Sequence, residues 1–424
     1  MTRSLIVAAL VGLAVALTPG TTPEVHPKLK TYRCTKRHGC RPAHNAVVLD
    51  SMTHPVHRIN DTTQNCGSWG GAPPTDVCPD EETCHQNCII EGISDYSARG
   101  VTTEGDALQL EQLDTEGNLL SPRVYLLDED EESYEMMKLN DMEFTFDVDV
   151  SHLPCGMNGA LYLSEMEEDG GRSDLNPLGA TYGTGYCDAQ CYTLPFQRGV
   201  GNINGYGVCC NELDIWEANS AATHLAPHVC SQTGTYLCDG EECEFDGVCD
   251  KNGCAQNPYR MGLESYYGPE LIVDTSRPFT VVTQFKTADG ALTEIHRLYV
   301  QDDTIITMPV ANLSGLPEMN FIDDTWCEAN GAERYLDLGA TAQMGGALER
   351  GMVLAFSVWW DQGGYMNWLD AEEAGPCSAT EGNPEEIVGV EPEPVVTFSK
   401  IRWGDIDSTY NTKCKTKHWG RPRA

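Results

Sequence analysis

Long hydrophobic runs, basic residues and internal repeats are all scarce in this 424-residue chain. The longest apolar stretch, Leu5 to Leu17, has thirteen residues, short of the roughly 20 that a membrane-spanning helix needs. Lysine and arginine together number only 27 against 64 aspartates and glutamates, a formal charge of -37. Such a surface repels phosphate backbones and anionic lipid, so neither nucleic acid nor membrane is an expected partner. Tandem repeats and a long Ser/Thr/Pro linker are also missing, which argues for one main domain.

What is present starts at the N-terminus. Arg3, the apolar run and then Thr18, Pro19 and Gly20 follow the order of a secretory leader: positive, hydrophobic, small. The expected division is a leader at 1–20, a main domain at 21–410 and a basic tail at 411–424, with the mature chain starting near Thr21 and exported from the cell. An oxidising destination turns cysteines into disulfides. The chain has 19, and their spacing lacks the two-residue gaps of tetrahedral zinc sites. No metal or cofactor is expected. An odd count leaves one cysteine over, and Cys414 in the tail is the expected one.

Strand signals dominate. In FTFDVDV, Phe144, Phe146, Val148 and Val150 alternate with Thr145, Asp147 and Asp149, the two-residue period of a half-buried strand. FTVVTQF from Phe279, MVLAFSVWW from Met352 and TFSKIRWG from Thr397 read the same way. Helical signals are short, chiefly at DEETCHQNC from Asp80 and GATAQMGGALERG from Gly339. The expected fold class is all-β: a sandwich of two large curved antiparallel sheets, few short helices and a groove on the concave face.

The segment CCNELDIWEANS places Glu212, Asp214 and Glu217 among Leu213, Ile215 and Trp216. A helix would scatter the three acids around its axis. A strand puts Glu212 and Asp214 on one face but gives Glu217 the wrong parity. A bulge or bend near Trp216 is therefore expected, turning Glu217 to the same side. Retaining cleavage of a glycosidic bond wants two carboxyl groups about 5 to 5.5 Å apart, one ionised and one protonated. A third acid beside them orients one and separates their pKa values. On the triplet alone, an acidic strand face or a calcium site stays open.

This segment, with YGTGYCDAQC from Tyr182, NPYRMGLESYYG from Asn257, GMVLAFSVWWDQGGYMNWLD from Gly351 and VTFSKIRWGDIDSTY from Val396, resembles the fungal cellulases of glycoside hydrolase family 7. The resemblance runs from about His26 to Tyr410. It implies a concanavalin-like jelly roll with an open substrate cleft. It also implies Glu212 as nucleophile, Glu217 as general acid and base, and Asp214 as the partner orienting Glu212. His228 matches a histidine expected to hydrogen-bond a sugar near the acid/base. Trp359 and Trp368 match sugar-stacking tryptophans, with Trp360 turned to the core. Tyr162, Gln190 and Arg260 match polar groups of the cleft. Eighteen cysteines pair by the same resemblance: Cys34 with Cys40, Cys66 with Cys88, Cys78 with Cys84, Cys155 with Cys377, Cys187 with Cys210, Cys191 with Cys209, Cys230 with Cys249, Cys238 with Cys243 and Cys254 with Cys327.

Two activities occur in that family, and departures from its pattern choose between them. The loops after Cys238 and Trp368 are short, and two product-site arginines of the cellobiohydrolases fall on Glu244 and Ala374. That implies an open groove and a monomeric endo-β-1,4-glucanase acting on cellulose, mixed-linkage β-glucan and xylan. The alternatives are a cellobiohydrolase or a family 16-like β-1,3(4)-glucanase. Thr53 and Pro55 stand where several relatives carry tryptophan, so one distal sugar platform is missing there. CKTKHWGRPRA resembles the opening of a cellulose-binding module that stops before its remaining cysteines, a remnant not expected to fold. Asn60 and Asn312 begin glycosylation sequons.

Overall fold

The computed structural model describes residues 17–410. Most of the expected leader, the tail and Cys414 therefore lie outside the described residues. The strands that matter for the site are β1 (Lys28–Thr35), β2 (Gly39–Leu49), β3 (Arg123–Leu127), β4 (Met142–His152), β5 (Met157–Ser164), β6 (Glu212–Ala218), β7 (Thr223–His228), β8 (Phe279–Ala288), β9 (Ala291–Gln301), β10 (Thr304–Thr307), β11 (Met352–Trp360) and β12 (Val395–Asp405). They lie on one hydrogen-bonded path, β7-β6-β5-β11-β3-β2-β1-β12-β4-β8-β9-β10, within a 16-stranded sheet. The four segments read as strands fall in β4, β8, β11 and β12.

The path folds over, and its two ends face each other as the layers of the sandwich. Trp216 of β6 lies 6.0 Å from Phe146 of β4, 5.9 Å from Phe279 of β8 and 6.4 Å from Tyr299 of β9, ring centre to ring centre. Side chains this large each contribute about 1.5–3 kcal/mol when fully buried, and Trp216, Phe144 and Phe146 are among the fully buried ones. In β4 the predicted alternation is kept: Phe144, Phe146, Val148 and Val150 enter the core. Asp147, on the other face, is hydrogen-bonded by Arg402 and Lys400 of β12.

One pairing on the path is not antiparallel. β1 and β12 run parallel, because the last strand of the domain slots between the first strand and β4, a closure that needs the whole chain as its connection. Glu143 of β4 secures it from below. Its buried carboxylate accepts the backbone N–H groups of Asp407, Ser408 and Thr409 at 2.7–2.9 Å, together with the Thr409 hydroxyl and the Gln284 amide.

Both helical segments form, Glu81–Asn87 with Asp80 accepting from the Thr83 N–H as its cap, and Ala340–Arg350. All nine disulfides implied by the resemblance are present. Each contributes about 2–4 kcal/mol by restricting the unfolded chain. Residues 17–20, assigned from sequence to the leader, are packed: Leu17 is buried, Thr18–Pro19 pair with Ile89 and Ile90, and the Gly20 N–H donates to Ile90 O. No helix of the described residues is long and apolar enough to cross a membrane.

Candidate active site

The irregularity expected near Trp216 is there. Against β7, Asp214 pairs with Ala226 but Glu217 with His224, so β6 advances three residues while β7 advances two. The same extra residue appears against β5, between Leu213 opposite Leu163 and Trp216 opposite Leu161. One surplus residue resets the alternation. Leu213, Ile215 and Trp216 all enter the core, while Glu212, Asp214 and Glu217 keep partners on the opposite face.

A bulge frees a backbone carbonyl, and here the partner comes from the other layer. Arg297 of β9, only 6 % exposed, donates through Nη2 to Ile215 O and through Nε to Thr283 Oγ1. Its guanidinium also lies 5.8 Å from the Trp216 ring. Arg297 has no carboxylate partner among the described residues, and its recorded hydrogen bonds go to the carbonyl and the hydroxyl.

The three acids have distinct surroundings. Glu212 Oε2 accepts the Ala189 N–H at 3.0 Å. Asp214 Oδ2 lies 3.0 Å from His228 Nε2. Glu217 is held from both sides, Oε1 by the Asn158 amide at 2.9 Å and Oε2 by His224 Nδ1 at 3.2 Å. Burial lifts Glu212 well above the ordinary carboxyl range, and the charges of Asp214 and Asp188 push the same way. Burial, then Glu217, raise Asp214 to about 6. For His228, burial alone would favour the neutral ring, but the bond to Asp214 and the neighbouring charges win and raise it to about 10. Two acids whose burial disfavours their charged forms thus stand beside a histidine whose proton Asp214 favours.

His228 departs from the sequence expectation. Its Nε2 serves Asp214 and its Nδ1 lies 3.0 Å from Asp250 O, so neither ring nitrogen is left for a sugar. Gly253, at φ +71°, lets the chain pass over this ring; a Cβ there would stand 2.7 Å from Cε1. The histidine that meets Glu217 is His224, which sequence reasoning missed. A hairpin turning after Ala218 brings position 224 opposite 217, and that count was the available signal.

The remaining expected residues gather around the triplet. Tyr162, from β5, is 3.2 Å from the Tyr186 hydroxyl, and burial raises its own pKa. Tyr186 donates to Asp188 Oδ2 at 2.9 Å. Gln190 adjoins them, with its backbone N–H on Asp188 and its side-chain amide on Lys251 O. Trp368 is 38 % exposed, 5.6 Å from the His224 ring and 6.4 Å from Trp359, to which it is near-parallel. Arg260 Nη2 reaches Trp368 O at 3.4 Å. Trp360 packs against the core, as alternation requires. Asp188, close enough to Glu212 to raise it, is the second residue that sequence reasoning missed.

Cysteines close enough to share a metal, Cys78 with Cys84 and Cys88, and Cys191 with Cys209 and Cys238, are all disulfide-bonded and offer no thiolate. Ala374 is buried with its carbonyl accepting from Asn257, and Glu244 is exposed on the loop clipped by Cys238–Cys243. Neither position offers a guanidinium to a sugar.

Set beside known proteins, residues 19–410 match the model of glycosyl hydrolase family 7. Endoglucanase EG-1 of Humicola insolens is 59% identical over 405 residues, covering 95% of this chain and 93% of that protein. The solved native endocellulase EGI of Humicola insolens superposes with a TM-score of 0.91 at 59% identity, over 93% of this chain and 100% of that one. A cellobiohydrolase from Melanocarpus albomyces, solved with cellotetraose, gives 0.85 at 36% identity, over 93% and 100%.

Proposed function

The chain belongs to glycosyl hydrolase family 7 and is a glycoside hydrolase, and from that premise we propose that it is a secreted endo-β-1,4-glucanase that cleaves internal bonds of cellulose with retention. In this reading Glu217 gives its proton to the leaving glycosidic oxygen while the Glu212 carboxylate attacks the anomeric carbon, forming a covalent glycosyl-enzyme. Glu217, now ionised, takes a proton from water. That water breaks the ester and restores the original configuration.

The observation that carries this reading is the surplus residue in β6, which gives both glutamates one face. Burial and the charges of Asp214 and Asp188 favour the neutral form of Glu212, so the attacking anion depends on the groups that favour it. The Ala189 N–H and the His228 imidazolium beyond Asp214 hold that anion without quenching it. Asp214, tied to His228, orients the pair. Endo over exo action is supported by the short stretch between Cys238 and Cys254 and by Ala374 and Glu244 in place of gripping arginines. The higher identity to the endoglucanase than to the cellobiohydrolase points the same way.

Nine bridges suit an oxidising exterior. A cut near Thr21 would remove buried Leu17 and the Thr18–Pro19 pairing. We therefore move the leader's end to before Leu17, after the small-residue run Ala14, Val15 and Ala16. Mixed-linkage β-glucan is a second expected substrate.

Glu212→Gln tests the mechanism. It keeps shape and removes the attacking charge, so activity on carboxymethylcellulose is expected to vanish while the unfolding temperature holds; activity near wild type removes Glu212 from the nucleophile role. On the wild type, viscosity must fall faster than reducing ends appear. Flat viscosity with accumulating cellobiose refutes endo action.

A further inference from the structure

Trp69 and Tyr192 keep 43 % and 53 % of their surface open to solvent, although each sits next to a buried aromatic network. Their rings are 6.3 Å apart, and Trp69 is 5.9 Å from Tyr186. The loops that carry them are fixed rather than loose. Cys66 is bridged to Cys88 and Cys191 to Cys209, and the Gly70 N–H donates to Thr193 O at 3.1 Å, tying one loop to the other. Exposing two aromatic rings on pinned loops costs burial that a core would have gained.

Contacts run from this pair to the proposed nucleophile. The Arg123 guanidinium lies 4.6 Å from the Trp69 ring and 3.5 Å from the Tyr186 ring, and Asp50 holds that guanidinium at 2.9 Å. Tyr186 donates to Asp188, and the next residue, Ala189, donates to Glu212. Trp368 and His224 occupy the other flank, beside Glu217. The open aromatic pair therefore extends the cleft on the side of Glu212, away from the acid/base.

We propose that Trp69 and Tyr192 form a further sugar-stacking site for a neutral β-1,4-linked glucan, holding glucose units of the chain beyond those nearest the bond that is cut. The site rests on the glucanase reading and specifies the length of chain that the cleft engages. A glucose ring offers a flat apolar face that packs on an aromatic ring without needing charge, and Tyr186 and Arg123 link the Trp69 ring by contact to the surroundings of Glu212.

The test compares Trp69→Ala, Trp69→Phe and Tyr192→Ala with wild type on cello-oligosaccharides from cellotriose to cellohexaose. Each alanine variant is expected to lose more kcat/KM as the oligomer lengthens, the loss on cellohexaose exceeding that on cellotriose by roughly fivefold and appearing in KM. Trp69→Phe is expected to recover most of it. A loss equal at every length means that Trp69 only caps Arg123, and it overturns the proposal, as does no loss at all. Wild type inactive on every oligomer overturns the glucanase reading and this site together.

Discussion

Glu217 shows what a single side chain needs in order to hand over a proton and take one back. Asn158 and His224 fix its two oxygens separately, so the carboxyl plane cannot swing as its protonation changes. Removing His224 leaves one oxygen unpositioned. His224→Ala is expected to slow hydrolysis by roughly ten- to a hundredfold, in line with the roughly 1.5–3 kcal/mol of a hydrogen bond to a charged group. On aryl β-cellobiosides the loss should grow as the leaving phenol becomes less acidic, because only poor leaving groups depend on the positioned proton; an equal loss across the series means that His224 merely shapes the wall. The triplet itself was legible because its members fall within six consecutive residues and their types dictate the chemistry. His224 could have been counted across the hairpin that follows Ala218, but Asp188 could not, since a long stretch of chain and its disulfides bring it back beside Glu212.

At the level of an element, β6 is a strand with one residue too many, and the surplus is stabilised from the opposite layer. Arg297 satisfies the carbonyl of Ile215; without it, a buried acceptor is orphaned at about 1–3 kcal/mol. Arg297→Met is expected to lower unfolding free energy by about that amount and to reduce kcat with little change in KM, since the offset between Glu212 and Glu217 loosens while the sugar platforms stay in place. Arg297→Lys, which keeps a donor, should recover part of both; denaturant titration and steady-state kinetics read the two quantities. The strands read from sequence, and the bulge, followed from a parity argument that needs only neighbouring residues. The parallel β1–β12 pair did not, because alternation within a strand carries no information on which strand will lie beside it, or in which direction.

The whole molecule carries -37 formal charges and buries several of its acids, which fixes how its stability responds to pH. Folding raises His228 from 6.5 to about 10. The stabilisation from its proton is complete below pH 6.5 and disappears as pH climbs to about 10. Asp214 and Asp370, lifted from 3.8 to about 6 by burial first, likewise hold protons that the unfolded chain has released, so stability falls again between pH 3.8 and 6. At the acid end Asp147, lowered by Arg402 and Lys400 against its burial, contributes stability that is lost as it protonates. Burial lowers His26, His54 and His296 below their ordinary 6.5, so their contribution rises with pH up to that point and opposes the fall from the raised acids. Calorimetry should therefore show its clear trend on the alkaline side, an unfolding temperature declining from pH 7 to pH 9.5 as His228 loses its proton. His228→Gln should flatten the alkaline part, and added salt should raise the unfolding temperature more at pH 8 than at pH 5 by screening like charges. A curve rising from pH 7 to pH 9 contradicts this charge distribution.

The grip of Glu143 on the chain near Tyr410 has a mechanical reading. A pull on the C-terminal end is delivered to an interior strand through several bonds loaded side by side, in shear, instead of unzipping an edge one bond at a time. Whatever is hitched beyond that point tugs on the middle of the sandwich, and a carboxypeptidase digesting inward meets a knot there before it meets a strand.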